Sequence, residues 1–242
     1  MKNYSITINS LMLEITRRCN MSCEHCMRGE AQNLDMDFSV IDKLFESGVD
    51  FRDVTFTGGD PSLYPEAIRY FVDALKFRGM DFSHFYVKTN GKQVSLDMVT
   101  ALLELYAVCD DKDYCVLAVS RDQFHEEGNG DPALYQGLRF YHRAEEEGVM
   151  ERQMREGQII NEGNAEETGW GSISQKPSEL TFDDGWDDEE FSVEQVQIAA
   201  NGNVCGQCDI SFEREDEETA GNILKDSLHN ILARAYEQQL ES

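Results

Sequence analysis

Short apolar runs alternate with amphipathic patterns along most of the chain. Residues 11–16 form an apolar run that predicts a strand, and residues 38–47 place four apolar side chains on one helical face. The same pair of patterns recurs three more times. Strands are predicted at 54–57, 85–89 and 114–120, followed by helices at 65–76, 96–106 and 132–147. Weaker strands are predicted near 158–160 and at 193–199, and a last helix at 224–239.

Four consecutive strand–helix units predict an α/β fold with parallel strands joined by right-handed crossovers. The polar segment 165–190, which ends in an acidic run, is expected to be a surface excursion between the last two strands. We expect one core spanning residues 1–200 and a small C-terminal tail spanning 201–242.

Charge and cysteine content narrow the class of partner. The 242 residues include 21 basic and 47 acidic side chains, a net charge of −26, which disfavours binding to nucleic acids or anionic membranes. No apolar run approaches the ~18 residues that would span a bilayer, and the first residues lack a secretory signal. Seven cysteines therefore suggest reduced thiols in the cytoplasm, where metal ligation is more frequent than disulfide formation.

Three of the cysteines form a compact motif. Cys19, Cys23 and Cys26 follow the first predicted strand at the spacing C-x3-C-x2-C. In a parallel α/β fold, loops at the carboxyl ends of strands build the active site. Three thiolates leave a four-iron cluster one protein ligand short, so that a substrate or cofactor can bind the open iron. The alternatives are a zinc site or three unrelated thiols.

Residues 19–26 resemble the CxxxCxxC loop of the radical S-adenosylmethionine (radical SAM) enzymes. The resemblance implies a partial (β/α)6 TIM-type barrel in which Cys19, Cys23 and Cys26 hold a [4Fe-4S] cluster, with SAM on the fourth iron. It also implies that His25, the residue before the third cysteine, lies near the cluster and the adenine of SAM.

The ends of the following strands carry further residues that the resemblance assigns to SAM. Thr57-Gly58-Gly59-Asp60-Pro61 is similar to the GGEP motif of the family, with Asp60 in place of the glutamate. The glycines let the backbone approach a ligand closely. An ordinary turn is the alternative here and at Thr89-Asn90-Gly91. The other expected SAM-binding residues are Asn90, Ser120, Arg121 and Asn164, with a surface ion pair as the alternative for Arg121.

The four remaining cysteines lie outside the motif. Cys205 and Cys208 belong to a segment similar to an abbreviated SPASM tail, a part of some radical SAM enzymes that frames auxiliary clusters. With Cys109 and Cys115 they could ligate one further cluster; buried thiols and a vestigial hairpin are the preferred interpretation. The acidic runs, including residues 213–218, are expected to be solvated faces, or else to dock a basic peptide or an electron-donor protein.

The resemblance implies an enzyme that cleaves SAM reductively to a 5′-deoxyadenosyl radical, which abstracts hydrogen from a substrate. Such an enzyme needs an external one-electron donor, a flavodoxin or ferredoxin. The SPASM-like tail favours a peptide substrate, and the alternatives are a small metabolite or a protein side chain, as in activating enzymes. A non-catalytic iron–sulfur or zinc-binding module is the competing hypothesis. His125 could transfer protons, although a structural role is more usual for a histidine in a loop.

Overall fold

The computed structural model describes residues 4–120, 122, 124–125, 133–142, 159–184 and 189–241. The strands are β1 (Ser5–Thr16), β2 (Asp50–Gly58), β3 (His84–Thr89), β4 (Val116–Val119), β5 (Tyr141–His142), β6 (Phe182–Asp184), β7 (Glu190–Ile198), β8 (Asn203–Cys205) and β9 (Gly221–Asn222). The helices are α1 (Phe38–Glu46), α2 (Pro65–Arg78), α3 (Leu96–Val108), α4 (Ala133–Gln136), α5 (Gly163–Thr168), α6 (Phe212–Glu217) and α7 (Leu228–Leu240).

The strands form one mixed sheet in the order β5-β4-β3-β2-β1-β7-β8-β9, with β6 beside β7. The six strands from β5 to β7 along this order are mutually parallel, whereas β6, β8 and β9 pair antiparallel with their neighbours. The sheet does not close. The predicted α/β class and partial TIM-type barrel are therefore confirmed.

Strand β1 lies between β2 and β7 and is the longest strand of the sheet. Its residues 11–16 are all buried, as expected for a parallel strand that is covered on both faces. Helix α1 contributes Val40, Ile41, Leu44 and Phe45, which confirms the predicted apolar face. The side chain of Asp37 caps this helix by accepting a hydrogen bond from the Ser39 amide at 2.9 Å. Within the described residues, no helix is both long enough and apolar enough to cross a bilayer.

The structure departs from the predicted helix over 132–147. Helix α4 ends at Gln136, before Gly137, and the chain turns so that the Leu117 amide donates to the carbonyl of Phe140 at 2.7 Å. Tyr141 and His142 then pair with β4 as the fifth parallel strand. Residues 132 and 143–147 lie outside the described part. The expected strand near 158–160 is reduced to one isolated bridge between Ile160 and Ile173, and residue 158 is not described.

The acidic run 213–218 is not simply a solvated face. Helix α6 contains most of this run, and its Glu215 is fully buried. The prediction failed because the charged partners of Glu215 are Arg17 and Arg28, which flank the cysteine loop 198 and 187 residues earlier in the chain. Exposed Glu213 behaves as predicted.

Glu215 belongs to a buried ion network with Glu14, Arg17 and Arg28. Arg17 donates to Glu14 Oε2 at 3.1 Å and to Glu215 Oε1 at 2.6 Å. Arg28 donates to Glu14 Oε1 at 2.6 Å and to Glu215 Oε2. Both guanidinium groups lie over the ring of Phe212, with centroid distances of 4.8 and 4.5 Å. Each glutamate is therefore shared by the two arginines, and the network links β1, the cysteine loop and α6.

Replacement of Glu215 by alanine should lower the free energy of unfolding by about 3–5 kcal/mol, because it leaves two buried guanidinium groups without one of their carboxylates. Urea denaturation followed by circular dichroism measures the change. The matched control is Glu213→Ala in the same helix, for which we expect a change within about 0.5 kcal/mol. Equal effects of the two substitutions would show that the network does not stabilise the fold.

Candidate active site

The three motif cysteines lie in a loop directly after β1, at the carboxyl edge of the parallel sheet. Their side chains are half-buried. They line two cavities, one of about 240 Å³ and one of about 470 Å³. Arg17 precedes the loop and Arg28 follows it, so the buried ion network fixes both ends. The loop thus presents three thiols to solvent-accessible space from a rigid base.

The separation of the sulfurs distinguishes between the kinds of metal site. Among the described residues, only His25, Asp122 and His125 form a group of three whose ligand atoms all lie within 4.8 Å of one another. At least one pair among the sulfurs of Cys19, Cys23 and Cys26 is therefore more than 4.8 Å apart. Two ligands of a single zinc, at about 2.3 Å per bond, are at most about 4.6 Å apart. The three thiols do not fit one zinc ion, and their spread suits a polynuclear cluster ligated by cysteine.

The electrostatics of the loop point to a cationic occupant. Burial, followed by the charges of the two neighbouring thiols, raises the pKa of Cys23 to about 11. Burial also raises the pKa of Cys19. Three thiolates at this position are thus unfavourable unless a cation neutralises them, as the iron ions of a cluster would.

The Gly58-Gly59-Asp60 turn packs tightly against the start of the cysteine loop. The Gly59 amide donates to Thr16 O and the Asp60 amide to Arg18 O, each at 2.8 Å. A Cβ atom at Gly58 or Gly59 would collide with the backbone of Thr16 or Arg18, and Gly58 has a φ of +148°. Because both glycines line both cavities, the turn brings bare backbone next to the thiols.

Asp60 joins this turn to the end of β3. Its buried carboxylate accepts hydrogen bonds from the Thr89 hydroxyl at 2.9 Å, the Asn90 amide at 2.8 Å and the Ser62 amide at 2.9 Å. The side chain is therefore occupied by the protein, the backbone amide and carbonyl bond to Arg18 and Leu63, and Asp60 lines neither cavity, so the expected direct contact with SAM is not supported by this geometry. A carboxylate with one methylene fewer than the family's glutamate serves here as a brace between two loops.

Asn90 reaches the cysteine loop directly. Its Nδ2 donates to Asn20 Oδ1 at 2.9 Å and lies 3.6 Å from Cys19 Sγ. Lys92, two residues on, donates to Asn20 O at 2.9 Å. A hydrogen bond to a ligating sulfur tunes the reduction potential of an iron–sulfur cluster, so Asn90 would act on the cluster as well as on the loop.

The structure locates most of the other residues that the sequence predicts to bind SAM. Thr57 and Ser120 line the smaller cavity, at the ends of β2 and β4. Arg121 lies outside the described residues. His25 lines the same cavity and stacks on Phe124 with ring centroids 4.0 Å apart, and its buried Nδ1 has no hydrogen-bond partner among the described residues. Burial lowers the pKa of His25 to about 4, so the imidazole is neutral.

Asn164 holds the cysteine loop from the side of α5. Its backbone amide donates to Cys26 O at 3.0 Å and its side-chain amide to Cys23 O at 3.1 Å. Thr168, one turn later, donates to Glu24 O at 2.8 Å. The sequence predicts that Asn164 lies beside the SAM carboxylate. The structure shows in addition that it binds the backbone of the cysteine loop, at Cys23 and Cys26, which the sequence pattern did not indicate.

The sequence patterns did not predict several residues that line the smaller cavity. Glu14, Lys88, Ile159, Ile160 and Cys208 contribute to its walls. Glu14 and Lys88 lie near the carboxyl ends of predicted strands, which is the one signal that could have identified them. His125, considered earlier only as an isolated residue, also lines the cavity, and its Nδ1 is 2.7 Å from Asp122 Oδ1.

Comparison with known proteins agrees with this geometry. The family model of the radical SAM superfamily matches residues 13–136, half of the chain. The chain is 33% identical over 101 residues to the tungsten-containing aldehyde ferredoxin oxidoreductase cofactor-modifying protein of Pyrococcus furiosus. That match covers 39% of this chain and 27% of the relative, so the chain aligns with about a quarter of that protein's length.

Two solved structures share the fold at low sequence identity. One is native anSMEcpe with bound AdoMet and the Cp18Cys peptide, with a TM-score of 0.54 and 11% identity over 93% of this chain and 80% of that one. The other is SuiB of Streptococcus suis bound to the precursor peptide SuiA, with a TM-score of 0.52 and 12% identity over 95% of this chain and 64% of that one. These likenesses show the fold.

Asn164→Ala should make the loop release metal more readily, because it removes the side-chain hydrogen bond to Cys23 O. Loss of such an outer contact typically costs 10–100-fold in metal affinity. We expect iron to be transferred to a chelator about tenfold faster under anaerobic conditions. Glu166→Ala, an exposed position in α5, is the control and should match the unmodified chain. Identical release rates for all three proteins would contradict the role of Asn164.

Proposed function

The chain belongs to the radical SAM superfamily, and we propose that it seats its [4Fe-4S] cluster on Cys19, Cys23 and Cys26 to generate a substrate radical. The cofactors of this enzyme family are the cluster and SAM. The observation that carries the proposal is the placement of three half-buried thiols in the wall of one cavity, which the ends of β1 to β4 also line. Membership of this enzyme family argues against the two alternatives, a zinc site and a non-catalytic binding module.

When bound and reduced, the cluster supplies the electron that cleaves SAM into methionine and a 5′-deoxyadenosyl radical. The chain's own residues hold the reactants. Backbone groups at Gly58 and Gly59 face the thiols without side chains and suit the methionyl end of SAM. The neutral His25, stacked on Phe124, suits a flat heteroaromatic ring. Ser120 offers a hydroxyl for hydrogen bonding to a ribose or carboxylate.

Apolar side chains on the opposite wall would shield the reaction from water. Ile159 and Ile160 line the cavity, and Ile159 is buried. A reactive alkyl radical needs such shielding against side reactions. We therefore place the substrate between these isoleucines and the cysteine loop.

A peptide is the substrate class that we favour. The two solved structures with the same fold were determined with peptides bound, and the segment from Asn201 to Cys208 has the SPASM-like pattern. A small metabolite or cofactor is the second candidate, since the relative from Pyrococcus furiosus is described as cofactor-modifying.

Two further assignments belong to the same proposal. An external one-electron donor, a flavodoxin or ferredoxin, would reduce the cluster. We also propose that the protein acts in the cytoplasm, and that residues 201–242 form a tail on a core of residues 1–200.

The reconstituted protein should release 5′-deoxyadenosine when SAM and dithionite are added anaerobically. Liquid chromatography measures the product. Cys23→Ser should lower the yield by at least about a hundredfold, because one cluster ligand is lost. Cys109→Ser, a matched change at a buried cysteine remote from the loop, should retain the activity. Absence of product from an iron-loaded protein would refute the proposal.

A peptide substrate should transfer hydrogen to the nucleoside. The candidate is any short peptide encoded beside the gene, made with deuterium on its carbon atoms. We expect deuterium in 5′-deoxyadenosine and a change in the mass of the peptide, both measured by mass spectrometry. Deuterium transfer from a labelled small metabolite, with no transfer from the peptide, would favour the second candidate.

A further inference from the structure

Two buried cysteines meet at the end of the sheet opposite to the cavities. Cys109 directly follows α3, and Cys115 directly precedes β4. Their relative exposures are 3% and 1%, and their sulfurs lie 3.1 Å apart. The pair is at the amino end of β4, whereas the motif cysteines are at the carboxyl end of β1. The mechanism proposed above does not use it.

These thiols are also separated from the other two cysteines. Cys205 ends β8, which pairs with the carboxyl-terminal half of β7. Three strands lie between β4 and β7, a distance of about 19 Å along the sheet at ~4.8 Å per strand. The four cysteines outside the motif therefore do not converge on one further cluster. Cys109 and Cys115 form an isolated dithiol.

A fixed cation polarises the pair. Lys112 Nζ lies 3.6 Å from Cys109 Sγ and donates to Cys109 O at 2.5 Å and to Tyr106 O. It also lies 4.9 Å from the centroid of the Tyr106 ring, so it is held in one position. The hydrogen bond with Cys115, opposed by burial and assisted by Lys112, lowers the pKa of Cys109 to about 7. The same shared hydrogen raises the pKa of Cys115.

We propose that Cys109 and Cys115 are a site of reversible two-electron oxidation, whose oxidant is a small peroxide. The Cys109 thiolate attacks one oxygen of hydrogen peroxide, which breaks the O–O bond and leaves a sulfenic acid and, after protonation, one water. The Cys115 sulfur then attacks the Cys109 sulfur, forms the S–S bond and, with its own proton, releases the hydroxyl group as a second water. Both sulfurs are oxidised and both peroxide oxygens are reduced.

The geometry suits this chemistry better than metal binding. The sulfurs need to approach by only about 1 Å to reach the disulfide bond length of about 2.05 Å. Among the described residues, no third cysteine, histidine or carboxylate forms a compact ligand group with them. Peroxide is small enough to reach thiols beneath a short surface loop, whereas a bulky disulfide such as oxidised glutathione is not favoured.

The test uses the full chain, reduced and then treated with equimolar hydrogen peroxide, alkylated, digested and mapped by mass spectrometry. We expect an intramolecular Cys109–Cys115 link that dithiothreitol reverses, so that the number of alkylatable thiols falls from seven to five. Cys205, which is buried and far from the pair, acts as the internal reference and should stay reduced. Oxidation of other cysteines, with Cys109 and Cys115 still reduced, would overturn the proposal.

Two variants test the roles of the individual residues. Lys112→Met keeps both thiols and should slow formation of the link about tenfold at neutral pH, because less Cys109 is ionised; the difference should narrow at alkaline pH. Cys115→Ser should trap Cys109 as a sulfenic acid that dimedone labels. Folding of both variants is checked by circular dichroism. Unchanged kinetics in Lys112→Met, or no dimedone adduct in folded Cys115→Ser, would count against the proposed chemistry.

Discussion

The structure of the site depends on a buried ion network that closes the base of the cysteine loop. Arg17 and Arg28 stand immediately outside the two ends of the loop, and each donates to both Glu14 and Glu215. Arg17 also pairs with Asp216, at 2.8 Å, but the buried Arg28 has only the two glutamates as carboxylate partners among the described residues, so removal of either glutamate leaves buried charge under-compensated. A segment near the C-terminus thus determines where a motif near the N-terminus can lie.

Three further anchors hold the loop from elements that are distant in the chain. The Asp60 amide, on the turn after β2, donates to Arg18 O; Asn90, after β3, binds the Asn20 side chain; and Asn164, in α5, binds the carbonyls of Cys23 and Cys26. These bonds use backbone and amide groups of the loop rather than its sulfurs, apart from the 3.6 Å contact between Asn90 and Cys19. The thiols are therefore left available for metal ligation.

Local patterns predicted the repeating units and the cysteine motif, since apolar periodicity and loop position are properties of neighbouring residues. The same reasoning failed where a distant contact decides the outcome. Glu215 looks like one member of an acidic run, yet Arg17 and Arg28 make it a buried residue. Helix propensity continues beyond Gln136, but pairing with β4 draws Tyr141 and His142 into the sheet. Neither partner is visible from the local sequence.

The separation between sulfur atoms assigns different chemistry to cysteines of the same chain. At least one pair of sulfurs in the motif loop is more than 4.8 Å apart, too far for both to bind one zinc ion, whereas a cluster of several irons can span such a distance. Cys109 and Cys115 are in contact at 3.1 Å, too close for two ligands of a cubane and close enough for an S–S bond. Their positions at opposite ends of parallel strands keep the two kinds of chemistry apart. Oxidation of Cys109 and Cys115 to a disulfide therefore need not consume the cysteines that would hold the cluster.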